Sequence, residues 1–324
     1  MGEDEPMASS SDAPKRSWMS RLFGSGTAPS PSAAPRRYAV RRLGTLATPP
    51  GFPHLASSNS LQDGLVALWL RSEDDAERVG AEGVLAAYDR ETLTPTRSVT
   101  LGSLPVSYPF VATMPGGGWL LSGVDADGGD LACVLTPEGL VAHQAVLAET
   151  PEWVGTDRDG EVWVVGSRSG PALTRWSPEL APRWAIAPDV PGGDALISLT
   201  LTAGETWALP ADAPHLVRIG RGTLGHTTIV PGIPTGGLGV IVLDDWVAVL
   251  DAGSVQDTAV IGRVSGGEFV ESHRIVLRHP DGDPLPTCPI YCLGDTAVFI
   301  DDADVYAVSL GELLDSPSDS TDGR

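Results

Sequence analysis

Acidic residues recur at one position of a repeated pattern in this sequence, and they are the residues best placed to do chemistry. When the copies of the pattern are aligned, an aspartate stands at or just past the end of the second apolar run in four of six copies. The first copy has a longer acidic loop there, and the third copy has an arginine. Carboxylates gathered at one rim would attract a divalent cation, an amine or a basic protein surface. The residues at this position are Asp74, Asp125, Arg168, Asp212, Asp251 and Asp301.

Asp127 and Trp153 complete the candidate ligand-binding set, since both lie beside these acidic loops. A second interpretation stays open, because aspartate commonly fills turns and blunts strand edges without binding anything. The string at residues 125–130 alternates acids as a calcium loop does, but it lacks the distal glutamate of an EF-hand. We therefore predict no cofactor and no metal site. Binding of a divalent cation such as calcium to these acids stays an open alternative.

Motifs for nucleophilic, metal-dependent or phosphate chemistry are absent from the sequence. There is no G-x-S-x-G, no H-E-x-x-H and no phosphate-binding loop, and the six histidines have no acid or nucleophile at motif spacing. The three cysteines, Cys133, Cys288 and Cys292, form neither a disulfide framework nor a zinc motif. They are predicted to be small apolar strand residues. No catalytic residue is assigned.

The charge balance excludes one class of partner. With 21 Lys and Arg against 42 Asp and Glu, the formal net charge is −21, and sequence-independent binding to nucleic acid needs a basic face. The excess of Arg over Lys, with many Ala, Gly, Pro and Val, is typical of GC-rich bacteria. No secretory signal and no stretch of 18 apolar residues is found, so we predict a cytoplasmic protein without a transmembrane segment.

The elements that carry the acids are short strands joined by tight turns. With 38 Gly and 28 Pro, long helices are hard to accommodate. A repeat of about 44 residues predicts four antiparallel strands per copy, with one large aromatic residue in the second strand. Such a unit is a propeller blade, and a ring of blades buries the apolar faces that one blade exposes. The aromatic residues, interpreted as structural wedges, are Trp69, Trp119, Trp163, Trp207, Trp246 and Phe299.

The last copy lacks its outer strand, and the N-terminal run RYAVRRLGTLA (residues 37–47) can supply it by pairing beside residues 304–310. The prediction is thus an all-β protein, a six-bladed β-propeller closed by its N-terminal strand. Residues 37–314 would form this single domain. Residues 1–36 are rich in Ser, Pro, Ala and Gly and are predicted to be a disordered leader, and residues 315–324 a disordered tail.

The hairpins TDRDGEVWVVG (156–166) and AAYDRETLTPTRSVTLG (86–102) resemble those of bacterial six-bladed propellers of the NHL and gluconolactonase-like kind. The runs around residues 151–163 and 175–180 are similar to uncharacterised actinobacterial propeller proteins. In the lactonase-like enzymes, an acid–Asn–Asp set from different blades holds a metal in the central channel. This chain has one asparagine, Asn59, so no residue is carried over from that site.

Two functions fit this fold. The first is a monomeric, non-catalytic module that presents the acidic loop face to a protein or a small-molecule ligand. The alternative is a metal-assisted hydrolase or lyase with its site in the central channel, which needs at least three convergent polar groups from different inner strands. Because the runs predicted for those strands are mostly apolar or small, the sequence favours the binding module over the enzyme.

Overall fold

Short strands separated by tight turns build the ordered part of the chain. The computed structural model describes residues 36–61, 64–147, 151–166, 171–187, 189–191, 196–202, 204–211, 213–220, 226–250 and 257–316. Two strands precede the first complete blade, β1 (Arg36–Ala39) and β2 (Arg41–Thr45). The remaining strands fall into six small sheets, one for each copy of the repeat.

Blades 1 to 4 are continuous four-stranded antiparallel sheets. Blade 1 contains β3 (His54–Leu61), β4 (Gly64–Leu70), β5 (Gly83–Tyr88) and β6 (Pro95–Leu101). Blade 2 contains β7 (Ser107–Thr113), β8 (Trp119–Val124), β9 (Asp130–Leu135) and β10 (Val141–Val146). Blade 3 contains β11 (Pro151–Thr156), β12 (Val162–Gly166), β13 (Leu173–Trp176) and β14 (Pro182–Ala185). Blade 4 contains β15 (Leu196–Leu201), β16 (Glu205–Pro210), β17 (His215–Gly220) and β18 (Thr227–Pro231).

Blades 5 and 6 each receive a strand from the N-terminus. Blade 5 contains β19 (Gly239–Leu243), β20 (Trp246–Leu250), β21 (Thr258–Ser265), β22 (Glu268–Arg278) and β1. Blade 6 contains β23 (Ile290–Leu293), β24 (Thr296–Asp301), β25 (Asp304–Ser309) and β2. Neighbouring blades contact one another around the ring, through their first strands or, between blades 3 and 4, through β12 and β15. The protein is a six-bladed β-propeller, as the repeat predicts.

Closure by the N-terminal strand is confirmed, and the structure adds a second contact to it. β2 runs antiparallel to β25, with Thr45 opposite Asp304. β1 runs parallel to β22, which the sequence did not predict, and this pairing adds a fifth strand to blade 5. Val40, between the two strands, is buried and donates its N–H to the Arg278 carbonyl at 2.8 Å. One short segment therefore fastens blade 5 to blade 6.

The C-terminal end of blade 6 differs from the prediction, which extended the last strand through residue 310. The strand ends at Ser309, and a short helix, α1 (Leu310–Asp315), begins there. The reason is a capping box, in which the Glu312 N–H donates to Ser309 Oγ and the Ser309 N–H donates to the Glu312 carboxylate. Leu310 and Leu313 are fully buried, so the helix packs onto the core. The predicted leader and tail lie almost entirely outside the described residues.

An ion pair at the closure leads to a first prediction. Hydrogen bonds from the Thr45 hydroxyl and the Arg42 guanidinium hold the pKa of Asp304 below its ordinary value. A lowered pKa contributes stability above the unfolded-state pKa of about 4, and that contribution is lost as pH falls through the folded value. Because both side chains are substantially exposed, Asp304→Asn should lower Tm at pH 7 by only about 1–2 °C.

Thermal melting from pH 7 to pH 3 measures this effect. The difference between D304N and the parent should shrink toward zero at the acid end. D127N, at an exposed turn of blade 2, is the matched control and should follow the parent at every pH. A D304N deficit that persists unchanged at pH 3 would contradict the electrostatic origin.

Antiparallel blades give the propeller two distinct faces. The turn face carries the connections between first and second strands and between third and fourth strands, such as residues 89–94, 157–161, 244–245 and 294–295. The loop face carries the connections between second and third strands and the connections between blades, such as residues 71–82, 125–129 and 279–289. The described residues of the predicted acidic rim, Asp74, Asp125 and Asp301, belong to the loop face.

The aromatic wedges are deeply buried, except for one. Trp69, Trp119, Trp163, Trp207 and Phe299 are at most 3% exposed, whereas Trp246 is half-buried. In blades 3, 4 and 5 an arginine of the third strand lies over the ring and pairs with an acid just before the tryptophan. This repeated arrangement stabilises the wedge through packing, cation–π attraction and an ion pair. The triads are Glu161–Trp163–Arg175, Glu205–Trp207–Arg218 and Asp245–Trp246–Arg263.

Candidate functional site

The centre of the ring is crossed by polar side chains of blade 1. Asn59 Nδ2 donates to the carbonyls of Val111 at 3.1 Å and Val154 at 2.9 Å, which belong to the first strands of blades 2 and 3. Ser58 Oγ and Tyr291 Oη are 3.0 Å apart and link blade 1 to blade 6. Asn59 is only 3% exposed. The first strands are thus tied together inside the channel rather than left open to solvent.

A cavity of about 480 Å³ lies where the first strands end on the turn face. Leu201, Trp207 and Val242 belong to its lining and are buried. Its rim is built from turns, because a tight turn places its charged residues in solvent at the end of the strand. Five blades contribute to the lining, and the charged residues among them are Arg90, Arg158, Glu205, Asp244 and Asp295.

The charges at this rim fall into two groups by blade. Arg90 and Arg158 come from blades 1 and 3, whereas Asp244 and Asp295 come from blades 5 and 6. Arg90 Nη2 donates to Ser60 Oγ at 3.5 Å, and Asp295 Oδ1 accepts from the Thr296 hydroxyl at 3.0 Å. Charged groups that line one cavity can fix the orientation of a small polar ligand.

The turn that carries Arg158 shows how local sequence positions this rim. Asp157 Oδ1 accepts the N–H groups of Asp159 and Glu161, and Gly160 adopts φ +77°. These bonds are consistent with the hairpin that the sequence indicates over residues 156–166. Because the Asp157 side chain closes the turn, Arg158 lies exposed at the turn's tip, where it lines the cavity.

Three members of the predicted ligand-binding set, Asp74, Asp125 and Asp127, lie in turns of blades 1 and 2. Asp125 Oδ1 accepts the N–H groups of Asp127 at 2.9 Å and Gly129 at 2.8 Å, so its carboxylate closes its own turn. Asp127 is exposed at that turn. Asp74 is exposed in a single 3₁₀ turn at Glu73–Glu77. These bonds fit the structural interpretation of the acids, and a binding role for them stays a prediction.

The other members of the set lie apart from the cavity or outside the described residues. Trp153 is half-buried on β11, where its ring lies against the Gly155 backbone and packs with a cluster between blades 3 and 4. Asp301 ends β24, and its pKa is raised by burial and by the neighbouring carboxylates of Asp302 and Asp304. None of the described members of the predicted set lines the turn-face cavity. The members outside the described residues are Arg168, Asp212 and Asp251.

The structure bears on both the cysteines and the metal hypothesis. Cys133 and Cys292 are buried strand residues, and Cys288 lies in the connection before β23. Burial raises the pKa of Cys133 to about 11 and that of Cys292 to about 12, so both thiols stay protonated at neutral pH. Within the described ranges, no three His, Cys, Asp or Glu side chains are grouped closely enough to hold a metal ion.

The cavity residues were not found from the sequence, although a weak signal was present. The turn between the first and second strands carries a charged residue in blades 3, 5 and 6, namely Arg158, Asp244 and Asp295. That position aligns as well as the acids of the loop face do. A charged residue in a tight turn is ordinary, and only the ring brings these turns to one mouth.

Comparison with known proteins supports the fold. No family model and no curated protein sequence matches the chain. Many solved structures do match it. Hsv2 from Kluyveromyces lactis is 9% identical, with 79% of this chain and 74% of that chain covered and a TM-score of 0.51. The β-propeller domain of Cps50 (Swd1) from Myceliophteria thermophila is 10% identical, with coverages of 84% and 99% and a TM-score of 0.47.

Virginiamycin B lyase from Staphylococcus aureus is 12% identical, with 81% of this chain and 96% of that chain covered and a TM-score of 0.43. At such low identity these likenesses concern the fold alone. The narrower resemblance to NHL and gluconolactonase-like propellers, the bacterial origin, the monomeric state and the cytoplasmic location stay predictions. Among the described residues, no helix has the length and apolar character needed to cross a membrane.

Proposed function

We propose that this protein is a binding module whose ligand site is the mouth of the channel on the turn face. The cavity carries this proposal, because five blades converge on one concave space with charged groups at its rim. In small-molecule sites, a few polar groups fix the orientation of the ligand. The β-propeller fold suits a binding role, since rigid blades hold the turns while their residues vary.

The loop face supplies a second candidate, which keeps the sequence prediction of an acidic surface for a basic partner or a divalent cation. The observation in its favour is the group of Asp301, Asp302 and Asp304, where burial and then the neighbouring carboxylates raise the pKa of Asp301. Such a group would favour a bound positive charge. The metal-assisted hydrolase or lyase is a further hypothesis, and turnover that depends on a cation would support it.

Two glycines allow the turn-face site to be blocked without disturbing the fold. A Cβ added at Gly204 on the cavity lining, or at Gly102 on the loop face, meets no heavy atom within 4 Å, and neither residue has a positive φ. Gly204→Phe should therefore fill the mouth while leaving Tm within about 2 °C of the parent. Gly102→Phe is the matched control.

The test is a thermal-shift screen of small polar metabolite-like compounds on the full-length protein, with affinities of the hits measured by calorimetry. We expect G204F to weaken binding by at least about tenfold, because the phenyl ring occupies the ligand's volume, and G102F to bind as the parent does. Hits whose affinity is equal in G204F and the parent would overturn the turn-face site. Loss of those same hits in D301N would place the site on the loop face instead.

A further inference from the structure

We propose that the outer edge of blade 2 binds an extended, positively charged segment of a partner protein, which adds to the sheet as a fifth strand. The observation behind this proposal is the exposed outer strand of that blade, β10 (Val141–Val146). No residue of β10 lines the turn-face cavity, so this surface is separate from the ligand site proposed above. The two sites can therefore be tested independently.

The outer side of β10 is open. Its inner side pairs with β9, from Val141 opposite Leu135 to Val146 opposite Leu131, and among the described residues no strand pairs with its outer side. An edge strand presents a row of unpaired N–H and C=O groups, which is a template for a strand of another molecule. β10 is exposed along its whole length except at Ala145, which is half-buried. A further strand can therefore reach these backbone groups.

The composition of β10 distinguishes it from the other outer strands. Its six residues, VAHQAV, include no Asp, Glu, Lys, Arg or Pro. Charged residues and proline are common devices that keep a strand edge from pairing with other molecules. Each of the other five outer strands carries at least one such residue, and β22 is also covered by β1. The residues concerned are Pro95 and Arg97 on β6, Pro182 and Arg183 on β14, Pro231 on β18, Glu268 and Glu271 on β22, and Arg41 and Arg42 on β2.

Aliphatic side chains are exposed at both ends of this open edge. Leu140 and Val146 are each 68% exposed and Val141 is 54% exposed, although large aliphatic side chains are most often buried. Their burial against a docked strand would add to the main-chain hydrogen bonds that give strand addition its affinity. Because alternate side chains of a strand lie on one face, the edge fits an extended segment with apolar residues at alternate positions.

Blade 5 shows that this propeller accommodates an added strand. There β1 pairs in parallel with the outer strand β22, from Arg36 opposite Ile275 to Ala39 opposite Arg278. β1 has only four residues, and two of them, Arg36 and Arg37, are basic. β10 offers an edge of six residues on a blade of the same architecture, so a basic segment of similar length fits it.

Charge complementarity favours a basic segment over a second copy of this chain. The net charge of −21 makes two copies repel each other, and it attracts a basic segment. Glu138 is exposed in the turn that precedes β10. Glu179 of blade 3 lies near the strand, since hydrogen bonding to Ser177 and then the nearby His143 of β10 lower its pKa. A docked strand with basic residues therefore meets acidic groups at this edge.

The probe is the peptide acetyl-KVTVTVTK-amide with a fluorescent label, and its binding to the full-length protein is followed by fluorescence anisotropy. One matched peptide carries N-methyl groups on two adjacent central residues, which blocks main-chain hydrogen bonds along both of its edges. The other has glutamate in place of both lysines. We expect each of them to bind at least about tenfold more weakly than the basic peptide, because hydrogen bonds are lost in the first and the charge is reversed in the second.

Val141→Lys tests the edge itself, and Val270→Lys is its matched control. Val270 is 57% exposed on β22, so each substitution adds one positive charge at a comparably exposed valine. V141K should weaken binding of the basic peptide by at least about tenfold, because a lysine on an edge strand opposes pairing and repels this peptide. V270K should bind the peptide as the parent does. Both variants should keep Tm within about 2 °C of the parent, which shows that they fold.

Several results would overturn the proposal. Equal affinity for the basic peptide and its N-methylated form, or equal losses in V141K and V270K, would mean attraction by net charge without strand addition. No binding of the basic peptide at about 1 mM would reject a basic segment as the occupant. A dimer in analytical ultracentrifugation that V141K converts to monomers would assign the edge to a second copy instead. G204F should bind the peptide as the parent does, and loss of binding in G204F would move the peptide site to the turn face.

Discussion

Deletion of residues 1–47 is expected to unfold the protein or drive it to aggregate, whereas deletion of residues 1–30 should leave it folded. The longer deletion removes β1 and β2, and with them the outer strand of blade 6 and the fifth strand of blade 5. Val40 and Leu46, 1% and 2% exposed, also leave the core. Burial of each such side chain contributes about 1.5–3 kcal/mol to the free energy of unfolding. Together the two are a large share of a typical domain stability of about 5–15 kcal/mol.

The exposed edges add to this loss. Without β1, the backbone groups of Ile275 to Arg278 on β22 lose their partner strand. Without β2, the outer edge of β25 loses its partner strand as well. Open strand edges promote association between molecules. Size-exclusion chromatography and thermal melting measure both effects. If the 1–47 deletion stays monomeric with the Tm of the parent, the double closure is dispensable.

The blade pattern could be predicted from the sequence because it is local. Each hairpin carries its own turn residues, as at Asp157 to Gly160, and each second strand is an apolar run bounded by those turns. The missing outer strand of blade 6 was also predictable, since an incomplete blade leaves an unpaired edge that some other segment must cover.

The parallel pairing of β1 was not predictable in the same way. Parallel strands are not joined by a hairpin turn that the sequence could show. The partner of β1 therefore depends on which strand edge lies nearby in the folded ring. That edge exists because β22 is eleven residues long and extends beside the chain entering blade 6. The helix α1 is different, because its capping residues Ser309 and Glu312 are visible in the sequence. The apolar run through Leu310 hid that signal.

The candidate site depended even more on the assembled ring. Aligned aspartates predict turns well, as Asp125 shows by accepting two N–H groups of its own loop. Alignment alone does not tell a turn residue from a ligand-binding one. Arg90 and Asp295 are about two hundred residues apart in the chain and line one cavity only because blades 1 and 6 are neighbours.

Trp163→Ala should lower the free energy of unfolding by about 3–4 kcal/mol, because the indole fills the space between blades 3 and 4. The ring is 1% exposed and packs in a cluster with Leu199 and Val217 of blade 4. Its Nε1 donates to Asp157 Oδ2 at 3.2 Å, and the Arg175 guanidinium lies 5.5 Å from the ring centroid. The substitution removes all of these contacts at once and leaves a cavity.

Trp246→Ala is the matched control, since Trp246 holds the same place in blade 5 with Arg263 and Asp245 around it. Its ring is half-buried, so less surface returns to water and we expect a loss of only about 1–2 kcal/mol. Urea denaturation followed by intrinsic fluorescence and circular dichroism gives both values. Equal losses in W163A and W246A would mean that the Trp–Arg–acid triad, rather than burial of the wedge, determines the stability of this position. The predicted larger loss in W163A would indicate that burial between blades 3 and 4, together with the hydrogen bond to Asp157, contributes more than the triad that both tryptophans share.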